Sequence, residues 1–224
     1  SYDSDASAIV AVGLDDRVIS NSAALSASSY NGDAIGIVGV TTDGNVSIYN
    51  NGGSISAESV NGNAYGIYAV TRNDGDVLVA NSGDIDAESY AGVAVGIYAR
   101  TYYGGDVSIT NDGDISAYSG SLQAFGIFAF NYNGGNITVN NSGDISVEGQ
   151  SFEAGIFATT PDSITIINDG SIAVKSSALG FGIYASSAYQ ISINNSGDIA
   201  VDASGYAAGI YASSNFGDIT ILNS

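Results

Sequence analysis

Asparagine recurs along this 224-residue chain at a nearly constant interval. The steps are 30, 30, 30, 30, 27, 27 and 28 residues, between Asn21, Asn51, Asn81, Asn111, Asn141, Asn168, Asn195 and Asn223. A second phrase, Gly-Ile-Tyr/Phe-Ala, keeps the same period and begins at Gly66, Gly96, Gly126, Gly155, Gly182 and Gly209. A fixed period of this size is typical of a repeat architecture, so we expect a chain of stacked, equivalent units.

Each unit contains three short runs with the composition of β-strands. In the unit from residue 64 to 93, the runs are 64–69, 77–79 and 85–89, and turns rich in Gly, Asn and Asp separate them. The runs are β-branched or aromatic and alternate with small or polar residues, which is typical of strands. Helical repeats are excluded because a 3.6-residue periodicity is missing, and a propeller blade would need four strands in about 40 or more residues. Three strands in 27–30 residues predict one coil of a parallel β-helix.

Three columns of isoleucine and valine should form the walls of a triangular core, since equivalent residues of stacked coils lie about 4.8 Å apart. The first column is Ile55, Ile85, Ile115, Ile145, Ile172 and Ile199; the second is Val46, Val77, Val107, Ile137, Ile164, Ile191 and Ile219; the third is Ile37, Ile67, Ile97, Ile127, Ile156, Ile183 and Ile210. We expect one all-β domain over residues 1–224, with about seven coils and a length on the order of 35 Å. The first coil, near 7–25, is degenerate and the last is cut short at 224, so we interpret the chain as a fragment of a longer protein.

Composition excludes several classes of function. The net charge is −19 with four basic residues, so we expect no binding to nucleic acid or to anionic membrane surfaces. No apolar run is long enough to span a bilayer, so we expect no direct insertion of this segment into a membrane. Histidine and cysteine are absent, so the Ser-His and Cys-His nucleophile pairs cannot be built. We predict that the chain is not an enzyme and has no catalytic residues.

The asparagine column has a structural interpretation. Asparagine tolerates the left-handed conformation of tight corners, and stacked amides can hydrogen-bond along an axis. We therefore predict a structural ladder of Asn51, Asn81, Asn111, Asn141, Asn168 and Asn195.

An aspartate column, Asp84, Asp114 and Asp144, follows the same period. Carboxylates about 4.8 Å apart repel one another and could invite calcium, which prefers oxygen ligands. Aspartate after glycine is also an ordinary turn residue that accepts backbone N–H bonds. We favour solvated turn carboxylates, with no cofactor and no metal site, and keep calcium at this column as the alternative.

Aromatic residues supply the candidate binding surface. Tyr68 and Tyr98 belong to a column that strand alternation places outside the core, on the same face as the glycines at 66 and 96. Tyr102, Tyr103 and Tyr132 lie in the loop whose length varies, and loops on a rigid scaffold often carry binding sites. For the column of Tyr68 and Tyr98 we favour stacked rings that only cover backbone, with ligand binding as the alternative. Arg72, Arg100 and Glu153 interrupt the repeat, and we interpret them as solvated loop charges.

Repeats of Asn-Ser-Gly-Asp-Ile, as at 81–85 and 141–145, followed by Gly-Ile-Tyr-Ala resemble the passenger domains of bacterial autotransporters, which use type V secretion. The resemblance covers nearly the whole chain. It implies a right-handed parallel β-helix, export across the outer membrane, and an extracellular location at the bacterial cell surface. We accordingly expect a non-enzymatic structural or adhesive rod whose partners are host or bacterial surface glycans or proteins. A filament subunit that stacks end to end on itself is the first alternative, and a β-helical polysaccharide lyase or hydrolase is the second.

Overall fold

A computed structural model describes residues 4–224, so residues 1–3 of the expected domain lie outside the described part. Twenty-three β-strands wind into seven complete coils and two strands of an eighth. Equivalent strands of successive coils pair in parallel and build three sheets, named here A, B and C. The prediction of a parallel β-helix with three strands per coil is confirmed. Among residues 4–224, no helix is long and apolar enough to span a bilayer.

Sheet A contains the longest strands, β1(Ala6–Gly13), β4(Ala34–Thr41), β7(Ala64–Thr71), β10(Ala94–Thr101), β13(Ala124–Asn131), β16(Phe152–Thr160), β19(Leu179–Ser187) and β22(Tyr206–Ser214). Sheet B contains β2(Arg17–Asn21), β5(Val46–Asn50), β8(Val77–Asn81), β11(Val107–Asn111), β14(Ile137–Asn141), β17(Ile164–Asn168), β20(Ile191–Asn195) and β23(Ile219–Asn223). Sheet C contains β3(Leu25–Ser29), β6(Ile55–Ser59), β9(Ile85–Ser89), β12(Ile115–Ser119), β15(Ile145–Gly149), β18(Ile172–Ser176) and β21(Ile199–Ala203). The first coil, which the sequence suggests to be degenerate, forms all three of its strands.

The register of the sheets confirms the three predicted walls. Ile67 pairs with Ile97, Val77 with Val107, and Ile85 with Ile115. These side chains are almost fully buried, and with their counterparts in the other coils they form one continuous core. Burying an isoleucine or valine side chain contributes roughly 1.5–3 kcal/mol, so these columns are the main source of stability.

The long strands of sheet A from β4 to β22 carry a glycine directly before the core isoleucine, and the strands bend at this position. A Cβ on Gly66 would lie 2.2 Å from Ile85 Cγ2 and 2.6 Å from the Gly96 carbonyl oxygen, so the position faces the core and admits no side chain. Gly66 and Ile67 are both buried, whereas Tyr65 and Tyr68 are only partly buried on the outside. The prediction that the aromatic column shares a face with the glycines is wrong, because the bend places two consecutive residues inside.

The asparagine ladder lies at the corner between sheets B and C. The Nδ2 of each member donates to the Oδ1 of the next, for example from Asn81 to Asn111 at 2.7 Å and from Asn111 to Asn141 at 2.8 Å. The same Nδ2 also donates to the carbonyl oxygen two residues on, as from Asn81 to Gly83 at 2.6 Å. Buried donors are thereby satisfied in both directions. Among the described residues no residue other than glycine has a positive φ, so the ladder, and not a left-handed conformation, explains these asparagines.

One predicted member of the ladder is wrong. Asn50, rather than Asn51, receives the bond from Asn21 and donates to Asn81, both at 2.7 Å. Asn51 is exposed, and its Nδ2 donates to Ser20 Oγ at 3.3 Å. The turn of this coil is one residue longer than in the others, and Gly52, with φ of 87°, accommodates the insertion.

Candidate functional site

The loops between sheets A and B form a corner that departs from the regular ladders. We call residues 72–76, 102–106 and 132–136, in three successive coils, the A–B corner. Positive φ angles at Gly104, Gly105, Gly134 and Gly135 let the second and third loops turn tightly. Their aromatic side chains point outward: Tyr103 is 56% exposed and Tyr132 is 59% exposed.

Arg100 links the strands of sheet A to this corner. Its Cζ lies 4.0 Å from the centroid of the Tyr102 ring and 5.1 Å from the centroid of the Phe130 ring. Phe130 is its register partner in the next coil, and the Tyr132 ring lies 6.3 Å from Phe130. The distances from Arg100 to the Tyr102 and Phe130 rings are both within the range of cation–π attraction. The interpretation of Arg100 as a solvated loop charge is wrong, because its guanidinium group is held between rings.

Tyr103 faces a different part of the corner. Together with Asp43, Asn73 and Asp74 it lines an open hollow of about 510 Å³. Asn73 Nδ2 donates a hydrogen bond to Asp43 Oδ1, which ties two neighbouring loops together. The structure therefore brings Tyr102 and Tyr132 to one cluster around Arg100 and places Tyr103 beside an acidic hollow.

Tyr68 and Tyr98 belong to a column of rings that stack on one another. The centroids of Tyr68 and Tyr98 are 4.9 Å apart with planes 4° from parallel, and Tyr98 and Phe128 are 5.0 Å apart at 2°. The stack continues through Phe157, Tyr184 and Tyr211. Ring faces inside the stack are covered by their neighbours, so only ring edges are available to a ligand. Burial raises the pKa of Tyr68, and Arg100 and Arg72 partly oppose that shift.

A second outer column, which our sequence analysis missed, packs against the stack. Phe125 and Phe181 are each 6% exposed, and Phe125 meets Phe128 edge-to-face at 5.2 Å. Phe152 bridges to Phe181 at 5.1 Å. The signal was present in the sequence, since an apolar residue stands directly before the glycine in most units. The outer face of sheet A is therefore a small hydrophobic cluster in its own right.

The aspartate column stabilises the turns between sheets B and C. Asp114 N–H donates to Asp84 Oδ1 at 3.1 Å, Asp144 N–H donates to Asp114 Oδ1 at 2.9 Å, and Ser171 N–H donates to Asp144 Oδ1 at 2.8 Å. Each carboxylate is exposed, and the backbone N–H that it accepts from the next coil links the two coils. These residues line one edge of a shallow groove of about 500 Å³ on the outer face of sheet C. In the described part of the chain, no three carboxylates are grouped so that they could hold a metal ion.

Glu153 is the other irregular charge, and the structure buries it completely. Its Oε1 accepts a hydrogen bond from Ser151 N–H at 2.9 Å, and its Oε2 accepts one from the Ser176 hydroxyl. A Cβ on Gly149 would lie 2.5 Å from Oε1, so the carboxyl group fills space that a side chain at 149 would need. Burial raises the pKa of Glu153. The interpretation of Glu153 as a solvated loop charge is therefore wrong.

The chain was also compared with known proteins. Neither the protein-family models, nor the curated proteins, nor the solved structures contain a match to it.

Proposed function

We propose that this chain is a rigid, non-enzymatic rod from the surface-exposed passenger of a bacterial autotransporter, and that it binds surface glycans or proteins through the A–B corner. The observation that carries the proposal is the pair of exposed rings at the A–B corner, in coils whose repeated columns are occupied by contacts with neighbouring coils. The asparagine, aspartate and isoleucine columns are engaged in bonds and packing between coils, whereas Tyr103 and Tyr132 project more than half exposed. Large exposed rings on a rigid support are typical of recognition surfaces.

The structure also limits which of the candidate rings can act. A sugar needs an open ring face to stack on, and the inner members of the aromatic column offer none, because Tyr98 is covered on both sides at 4.9 and 5.0 Å. Tyr98 therefore supports the corner, Tyr68 stacks on it as the end ring of the column, and Tyr103 and Tyr132 make the contact with the ligand.

The enzymatic alternative would use the groove along Asp84, Asp114 and Asp144. Glycoside hydrolysis requires one carboxyl group that stays protonated and a second that stays ionised, in different environments. Here the three carboxylates are exposed and equivalent, each accepting one backbone N–H. This arrangement supports a turn-stabilising role better than a catalytic pair.

A glycan array, read with and without calcium, tests the proposal. We expect saturable binding that is lost in the double variant Tyr103→Ala, Tyr132→Ala. The matched control is Tyr90→Ala, since Tyr90 is 48% exposed but lies between sheets C and A. Absence of glycan binding under both conditions, or glycan binding that the double variant retains, would contradict glycan recognition by the A–B corner.

A further inference from the structure

Two of the four basic residues lie at or beside the A–B corner, Arg72 in its first loop and Arg100 near the end of β10, and neither has an acidic partner among residues 4–224. Lys175 pairs with Glu148 at 2.7 Å, and Arg17 Nη1 donates to the carbonyl oxygen of Asp16 at 2.8 Å. Arg72 and Arg100, like Arg17, form no ion pair with any residue from Ser4 to Ser224. In a chain with 23 acidic residues, two neighbouring arginines without a carboxylate partner point to a charge that comes from outside.

The guanidinium group of Arg100 is held in place, but its hydrogen-bonding capacity is largely unused. The rings of Tyr102 and Phe130 lie 4.0 and 5.1 Å from Cζ. Within the described residues, Nη1 makes one long contact of 3.4 Å to the Tyr98 hydroxyl, and the buried Nε has no hydrogen-bond partner. A buried donor without a partner is unfavourable, and a guanidinium group offers five donors in a fork that matches carboxylate or sulfate oxygens.

Arg72 brings the second positive charge to the same place. Thr71 pairs with Thr101 and Val77 with Val107, so the two connecting loops have equal length and Arg72 occupies the ladder position of Tyr102, one coil earlier. Arg72 is exposed. Both arginines lower the pKa of Tyr68 against the effect of burial, which agrees with two positive charges near one phenol group.

We propose that Arg72 and Arg100 form an anion-binding subsite that makes the A–B corner selective for acidic saccharides, those that carry a carboxylate or a sulfate ester. The inference rests on the proposed function, since it specifies the ligand of the same corner. The arginines bind the anionic group, and the exposed ring of Tyr132, next to Phe130, packs against the C–H face of the sugar. A long polyanion fits less well, because Asp43 and Asp74 lie beside Tyr103 and the net charge of the chain is −19.

Calorimetric titration at about 0.15 M salt, where the Debye length is about 8 Å, tests the subsite with defined probes. The probes are a galacturonic acid trimer, its methyl ester, and a sulfated galactose trimer. We expect at least one acidic trimer to bind at least about tenfold more tightly than the neutral ester, since hydrogen bonds to charged groups are the strong ones. Comparison of the galacturonic acid trimer with the sulfated galactose trimer shows whether the subsite prefers a carboxylate or a sulfate group.

Three variants make the test specific. Arg72→Gln and Arg100→Gln should each weaken binding of the acidic trimer by about tenfold, whereas Lys175→Gln, which removes the same charge from sheet C, should leave it unchanged. Circular dichroism would establish that each variant is folded. Equal affinity for acid and ester, or equal loss in all three variants, overturns the subsite. If neutral sugars bind and depend on Tyr103 and Tyr132, the proposed function stands without the subsite; if no saccharide binds, the subsite and glycan recognition by the corner are both overturned.

Discussion

Asn50 Nδ2 donates a hydrogen bond to Asn81 Oδ1 at 2.7 Å, and both amide groups are buried. The bond joins two coils through side chains alone, in addition to the backbone bonds of sheet B. Because the same geometry repeats along the corner between sheets B and C, the asparagine side chains form a continuous chain of hydrogen bonds. Removing one member leaves a donor, an acceptor and a turn carbonyl without partners.

Asn50→Ala should therefore lower the free energy of unfolding by about 2–4 kcal/mol. Asn51→Ala is the matched control, because its exposed amide lies outside the ladder, and its effect should stay within about 0.5 kcal/mol. Urea denaturation followed by circular dichroism measures both. Equal effects of the two substitutions would mean that the ladder is not assigned correctly.

The core-facing glycines should not tolerate a methyl group. In Gly96→Ala the new Cβ would lie 2.3 Å from Ile115 Cγ2 and 2.6 Å from the Gly126 carbonyl oxygen. Overpacking of this kind costs about 1–3 kcal/mol or more. At Gly209 the nearest atom, Ile199 Cγ2, would be 3.7 Å away, so Gly209→Ala should be tolerated. Thermal unfolding of the pair gives the comparison, and a harmless Gly96→Ala would argue against the bend of sheet A.

Glu153 should make stability depend on pH. Burial raises its pKa in the folded state above the ordinary value of 4.5. Below that value the carboxyl group is protonated in both states and imposes no penalty. As the pH rises from about 4.5 through the higher folded pKa, folding must bury a charge or retain a proton, so stability is lost.

Glu153→Gln removes this titration. The unfolding free energy of the native chain relative to the variant should therefore fall as the pH rises from about 4.5, and then level off. Urea denaturation at a series of pH values between about 4 and 8 measures the difference. Parallel profiles for the two proteins would show that the carboxyl group does not titrate in the folded state as its burial requires.

Tyr98 and Tyr103 should separate stability from binding. Tyr98→Ala removes two ring contacts at 4.9 and 5.0 Å and should destabilise the fold by about 1.5–3 kcal/mol. Tyr103→Ala removes a ring that is 56% exposed, and should change stability by less than about 0.5 kcal/mol while weakening ligand binding. Stability and ligand affinity are measured on both variants. A Tyr98→Ala variant with the stability of the native chain would contradict the supporting role of the stack.

Much of the fold could be predicted from the sequence because the repeat puts the same residue type at the same height in every coil. Val77, Val107 and Ile137 could be placed in one wall by counting alone, and the structure pairs them so. Counting failed at Asn51. The interval from Asn21 to Asn51 is 30 residues, as in the next units, but the turn contains one extra residue and the ladder member is Asn50. Alignment to the strand Val46-Ser47-Ile48-Tyr49-Asn50 would have identified the correct asparagine.

The irregular residues could not be placed in the same way. Period-two alternation assigns one face to residues 66 and 68, whereas the structure buries Gly66 and Ile67 together and leaves Tyr68 on the outside. The burial of Glu153 depends on the missing side chain at Gly149 and on Ser176 in the next coil, and the position of Arg100 depends on Phe130. These are contacts between coils at single positions, which a repeat pattern averages out.

The most direct test of the account is to map the residues that a bound glycan contacts. With a saccharide that the array identifies, backbone amide chemical shifts of the isotope-labelled chain would be followed during titration. The account predicts that the shift changes are confined to residues 72–76, 102–106 and 132–136 and to the strand ends beside them. Changes centred on Asp84, Asp114 and Asp144, along the groove of sheet C, would contradict it.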